Sequence, residues 1–124
     1  FHPDGKLTFQ APTGKDKFDE YVADPNKPVP YTEDVHLNRT REYMTDDQRF
    51  AARRPDVMVY QSDILTEDVT LSGPAFANLF ASTTGTDADY IVKLIDVFPD
   101  NQENKYANEQ VPMSGYQMLV RGEV

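Results

Sequence analysis

Residues 46–100 read DDQRFAARRPDVMVYQSDILTEDVTLSGPAFANLFASTTGTDADYIVKLIDVFPD, and the fold turns on this stretch. It opens as a short helix near 45–54. Thr45 stands where an N-cap belongs, Asp46 and Asp47 suit the positive end, and Gln48 holds the capping-box position. Phe50, Ala51 and Ala52 carry the helix onward, Arg53 and Arg54 suit its negative end, and Pro55 stops it. Strand-like segments follow at 57–60, 68–71, 76–83 and 90–98, separated by signals such as Gly73-Pro74 and Thr84-Gly85-Thr86-Asp87. The last is apolar on both parities except at Lys93 and Asp96, the pattern of a central strand covered on both faces. Burying Asp96 alone would cost about 2–5 kcal/mol, so it is expected to bond backbone or a basic side chain.

On the N-terminal side, residues 1–17 form an edge segment in which 6–10 alternates as a strand would, and 18–22 is a second short strand. Pro25, Pro28 and Pro30 fix φ and remove amide donors, so 23–31 is an extended connector. Residues 32–44 lack any period and read as a long surface loop. On the C-terminal side, 101–113 is a polar hairpin loop and 116–124 returns as the last strand. Short strands at this spacing predict an all-β fold, a jelly-roll-like β-sandwich with one short helix. Residues 1–124 are expected to be one domain. The chain starts at Phe1 and stops on a strand pattern with no closing turn, so both ends are expected to be cuts, the C-terminal one inside the domain.

The composition narrows the function classes. Aliphatic and aromatic residues make up 39% of 124 residues, which is enough for a core and too much for a disordered tail. The net charge of −9 should repel nucleic acid and anionic membrane. There is no cysteine, so disulfides, zinc thiolates and cysteine nucleophiles are excluded. No apolar run approaches the roughly 20 residues of a membrane-spanning helix.

No residue set carries chemistry alone. A nucleophile elbow needs G-x-S-x-G. Ser114 has Pro112 and Tyr116 where the outer glycines belong, and Ser62, Ser72 and Ser82 lie on or beside strands. His2 and His36 lie in loop sequence without a nucleophile candidate, and read as solvated. Asp87, Asp89, Asp96 and Asp100 lack the spacing of a calcium loop. No metal site and no cofactor site is expected, and the chain alone is expected to be inactive.

An ordered set of motifs nevertheless runs through most of the chain. It begins at 18–31 and strengthens at Asp47-Gln48-Arg49-Phe50 and Arg54-Pro55-Asp56-Val57. It continues through 65–70, Gly73-Pro74, Thr86-Asp87-Ala88-Asp89 and 93–100, and ends at 115–123. This set resembles the start of the C-terminal jelly-roll domain of a serine-hydrolase family. That family includes α-amino acid ester hydrolases, glutaryl-7-aminocephalosporanic acid acylases, cocaine esterase and X-Pro dipeptidyl-peptidases. The resemblance is strongest to the ester hydrolase and acylase branch.

The resemblance implies a first part of a jelly roll that accompanies an α/β-hydrolase domain, bearing serine, aspartate and histidine, and a helical cap. Those two domains would be its partners. None of the matching positions is catalytic. The loop before Asp47-Gln48-Arg49, here 35–44, approaches the active-site mouth in such enzymes, which would put Tyr43 and Met44 nearest the substrate. The implied parent reaction is acyl transfer through a serine acyl-enzyme, with α-amino acid esters or β-lactam side chains as substrates, in a periplasmic or secreted enzyme. The alternative is a free-standing β-sandwich that binds carbohydrate or protein. An open strand edge would also favour a homo-oligomer.

Overall fold

The computed structural model describes residues 1–14, 18–38, 40–100 and 113–123. The chain divides into one unit of Phe1–Pro30 with Ala51–Gly73, and a second of Tyr31–Phe50 with Pro74–Val124.

The first unit is organised by backbone turns and polar ties. Pro3–Gly5 forms a single 3-10 turn in which Asp4 and Gly5 both take positive φ, 65° and 72°. A Cβ on Gly5 would stand 2.7 Å from the Val59 carbonyl oxygen, so only glycine fits this close approach. Beyond it, Leu7 N donates to Gln61 O at 2.9 Å and Gln61 N donates to Gly5 O at 2.8 Å. The edge strand expected at 6–10 thus reduces to isolated bridges from Lys6 to His2 and to Gln61. Phe1 packs on Tyr60 with ring centroids 4.7 Å apart, and Tyr60 Oη donates to Asp19 Oδ2 at 2.6 Å. Arg54 grips Asp56 through Nε at 2.8 Å and Nη2 at 2.6 Å. The same Nη2 donates to Lys27 O at 3.0 Å, which fastens the proline-rich connector.

The second unit holds the sheet. Strand β1, Val92–Val97, pairs antiparallel with β2, Gln117–Glu123. The register runs from Val92 opposite Glu123 to Val97 opposite Gln117, with an irregularity between Leu94 and Ile95 that leaves Val120 as the extra residue on β2. Phe98 N donates to Tyr116 O at 2.9 Å and prolongs the ladder. Helix α1, Arg49–Ala52, is a single turn within the span read as helix from the sequence.

The chain is mostly non-helical, in keeping with an all-β class, and its sheet among the described residues has two strands. The segments at 18–22, 57–60, 68–71 and 76–83 are not paired into strands. Their composition favours extended backbone, but a strand exists only where a neighbour takes its amides and carbonyls. Among the described residues, strand β1 is also not covered on both faces. Lys93 and Ile95 are half-buried on one face, whereas Leu94 and Asp96 are exposed on the other. Asp96 therefore keeps its hydration and needs no buried partner. Ala51 is the only buried apolar residue among the described residues, and Ile64, Phe76 and Phe80 are exposed. The expected hairpin loop falls at 101–112 outside the described residues, except for Met113.

Candidate functional site

The densest polar constellation surrounds the start of α1, and Asp47 begins it. Its Oδ1 accepts the Arg49 amide at 3.1 Å, the geometry of an N-cap. It also receives the Gln117 amide at 3.4 Å, while Oδ2 accepts the Arg49 Nε at 2.8 Å and bonds Arg49 Nη2. Partial burial pushes this carboxyl up, but the Arg49 side chain and the amides of Arg49 and Gln117 together outweigh it and hold it below its ordinary value.

The cap is thus Asp47, not Thr45. Thr45 closes the preceding 3-10 turn, Glu42–Met44, with αR backbone, and its hydroxyl donates back to Glu42 O at 3.2 Å. The Gln48 amide, which a cap at Thr45 would receive, goes to Gln117 O instead. Gln48 does not close a capping box either. Its amide donates to Gln117 O at 3.0 Å and its Nε2 to Asp46 O at 2.9 Å. Its Oε1 accepts from Lys93 Nζ at 2.8 Å. Only 1% of Gln48 is exposed, so all three bonds are made away from water. The Lys93 ammonium also lies 5.4 Å from the centroid of the Phe50 ring. Burial lowers the Lys93 pKa and the Asp46 carboxylate opposes that shift.

The C-terminal strand enters through Gly115 and Tyr116. Gly115 has φ 63° and donates to Pro99 O at 3.2 Å. A Cβ there would lie 2.8 Å from Asp100 Oδ1 and 3.5 Å from Arg49 Nη1, so glycine lets the turn pass this charged pair. Tyr116 stacks on Phe98 with centroids 5.8 Å apart and donates its hydroxyl to Thr45 O at 2.7 Å.

Tyr43 and Met44, the residues singled out from the sequence, sit in the Glu42–Met44 turn that this constellation abuts. The turn is closed by the amides of Thr45 and Asp46, each 2.8 Å from Glu42 O. Tyr43 is half-buried with its ring centroid 6.3 Å from that of Tyr31, and Met44 is 58% exposed. The hub of Gln48, Lys93 and Tyr116 was not singled out from the sequence. The available signal was Lys93, a single cation in an apolar strand.

The arrangement fastens loops and does not present a reactive pair. Ser62 Oγ donates to the adjacent Asp63 O at 2.9 Å. His2 is not a free loop histidine: its Nε2 lies 2.7 Å from Thr8 Oγ1 and 3.0 Å from Gln10 O, where it ties the N-terminal turn. Asp87 Oδ1 accepts the Ala88 amide at 2.9 Å. Among the described residues no group of three or more His, Asp or Glu is placed to hold a metal ion, and no helix is long and apolar enough to cross a membrane.

The model of the X-Pro dipeptidyl-peptidase C-terminal non-catalytic domain matches residues 1–123. The cocaine esterase of Rhodococcus sp. (strain MB1 Bresler) is 37% identical over 90 residues, which is 73% of this chain and 16% of that protein. No solved structure gives a significant match. With residues 1–123 matched, the chain belongs to the family of X-Pro dipeptidyl-peptidase C-terminal non-catalytic domains.

Proposed function

We propose that this chain serves as the accessory domain of a serine hydrolase of the esterase, acylase or dipeptidyl-peptidase type. Residues 1–124 would form the first part of a jelly roll, with 1–17 at one edge and 32–44 as the loop that faces the catalytic domain. The observation that carries this reading is the family match over 1–123, together with serines that all lack an elbow. The exposure of Ile64, Phe76 and Phe80 supports it, because apolar segments of this kind are stable under another layer. The parent would transfer acyl groups through a serine acyl-enzyme, from α-amino acid esters or β-lactam side chains, with Tyr43 and Met44 at the mouth of its site. The α/β-hydrolase and cap domains are the partners of this reading. On its own, the chain would cover its open edges by self-association.

Reading the coding frame upstream of Phe1 tests the proposal. A G-x-S-x-G, then a cap region, then an aspartate and a histidine is the expected content. A frame that opens near Phe1 contradicts it.

A second reading, a free-standing binding module, draws on exposed aromatic rings: Phe9 is 91% exposed and Phe76 is 81% exposed. Glycan-array binding by the chain alone would favour it, and silence on the array favours the first reading.

A further inference from the structure

We infer that Tyr116 is a positioning residue for the turn that carries Tyr43 and Met44. This rests on the substrate-mouth reading of those two residues and adds what holds them in place. The Tyr116 hydroxyl donates to Thr45 O at 2.7 Å across 71 residues of sequence. Thr45 is the C-cap of the Glu42–Met44 turn, so this bond fastens the turn to Tyr116, the residue just before β2.

The tether is firm at both ends. Tyr116 is held by its stack on Phe98, with rings inclined by 27°, and by the ladder bond from Phe98 N to its own carbonyl at 2.9 Å. Thr45 is held by its amide on Glu42 O at 2.8 Å and its hydroxyl on the same oxygen at 3.2 Å. Its carbonyl is the group left over, and Tyr116 takes it. One residue on, Gln117 O accepts the Gln48 amide at 3.0 Å and Gln117 N approaches Asp47 Oδ1 at 3.4 Å. The strand therefore also grips the chain just after the turn, at Asp47 and Gln48. Without the Tyr116 bond, the turn that carries Tyr43 and Met44 would lose its tie to Tyr116 and keep its local bonds.

Tyr116→Phe tests this while keeping the ring stack. Amide exchange on the chain should show Met44, Thr45 and Asp46 exchanging about three- to tenfold faster, the effect of one lost hydrogen bond. The β1–β2 ladder amides should be unchanged. Unchanged turn amides, or ladder amides that speed up equally, overturn the inference. In the full hydrolase, Tyr116→Phe should shift the kcat/KM ratio between a small and a bulky acyl ester in the same direction as Tyr43→Ala with Met44→Ala. A ratio moved by the double substitution and not by Tyr116→Phe also overturns it. A ratio unmoved by the double substitution removes the substrate-mouth reading, while the exchange data still decide the tether.

Discussion

Lys93 Nζ donates to Gln48 Oε1 at 2.8 Å, joining strand β1 to the residue before helix α1 across 45 residues. Gln48 is buried and Lys93 half-buried, so removing either partner strands the other. Lys93→Met leaves a buried carbonyl oxygen without a donor and should cost about 1–3 kcal/mol in urea unfolding. Gln48→Leu should cost a similar amount. The double substitution should recover much of the loss, since replacing both partners by apolar groups is close to neutral. Additive losses would mean that the pair does not couple.

Acid should loosen the same hub through Asp47. Its folded pKa lies below the ordinary 3.8, so the native state holds its proton less tightly than the unfolded chain does. The stability it contributes is present above the unfolded value and is lost as pH falls through the folded one. Unfolding midpoints should therefore decline below about pH 4. Asp47→Asn should lower the midpoint at pH 7 and flatten that decline. An equal decline in the variant would assign it to other carboxylates.

Alkali should act on the other unit through Tyr60. Burial and then the Asp19 carboxylate push its hydroxyl up to about 12. A raised folded pKa means stability that is full below the unfolded value near 10 and is lost as pH rises towards 12. Burial raises Tyr116 as well, so ultraviolet titration should show late-ionising phenols with Tyr60 among them. Asp19→Asn should bring Tyr60 down while leaving it above its ordinary value, because burial remains, and should not move Tyr116. A titration curve identical to wild type would remove the Asp19 bond from the account.

The exposed apolar segment containing Ile64, Leu71, Phe76 and Phe80 should drive the isolated chain to associate. Light scattering is expected to show dimers or larger species whose proportion rises with concentration. A stable monomer with sharp thermal unfolding would mean that the chain closes its own core.

The parts of the fold legible in the sequence were those decided locally. Tyr90 to Phe98 announces β1 by its apolar run, and Pro55 together with Phe50, Ala51 and Ala52 places the helix. What escaped was decided by partners far along the chain. Thr45 and Asp47 are both good caps, and which one acts depends on Thr45 bonding back to Glu42 and giving its carbonyl to Tyr116. Gln48 reads as a capping-box residue because Lys93, its actual partner, lies 45 residues away. Segments 68–71 and 76–83 have strand composition, but composition specifies extended backbone and not the neighbour that makes it a strand. Tyr43 and Met44 were singled out through a resemblance, not through any local signal of chemistry, and their place at a substrate mouth is a proposal.

On the proposed function, this chain accompanies a catalytic serine and does not supply one. The direct measurement is to label the full-length polypeptide containing residues 1–124 with a fluorophosphonate and map the adduct by peptide mass spectrometry. A single labelled serine outside residues 1–124 is expected, with the chain alone unlabelled. An adduct on Ser62, Ser72, Ser82 or Ser114 would contradict it.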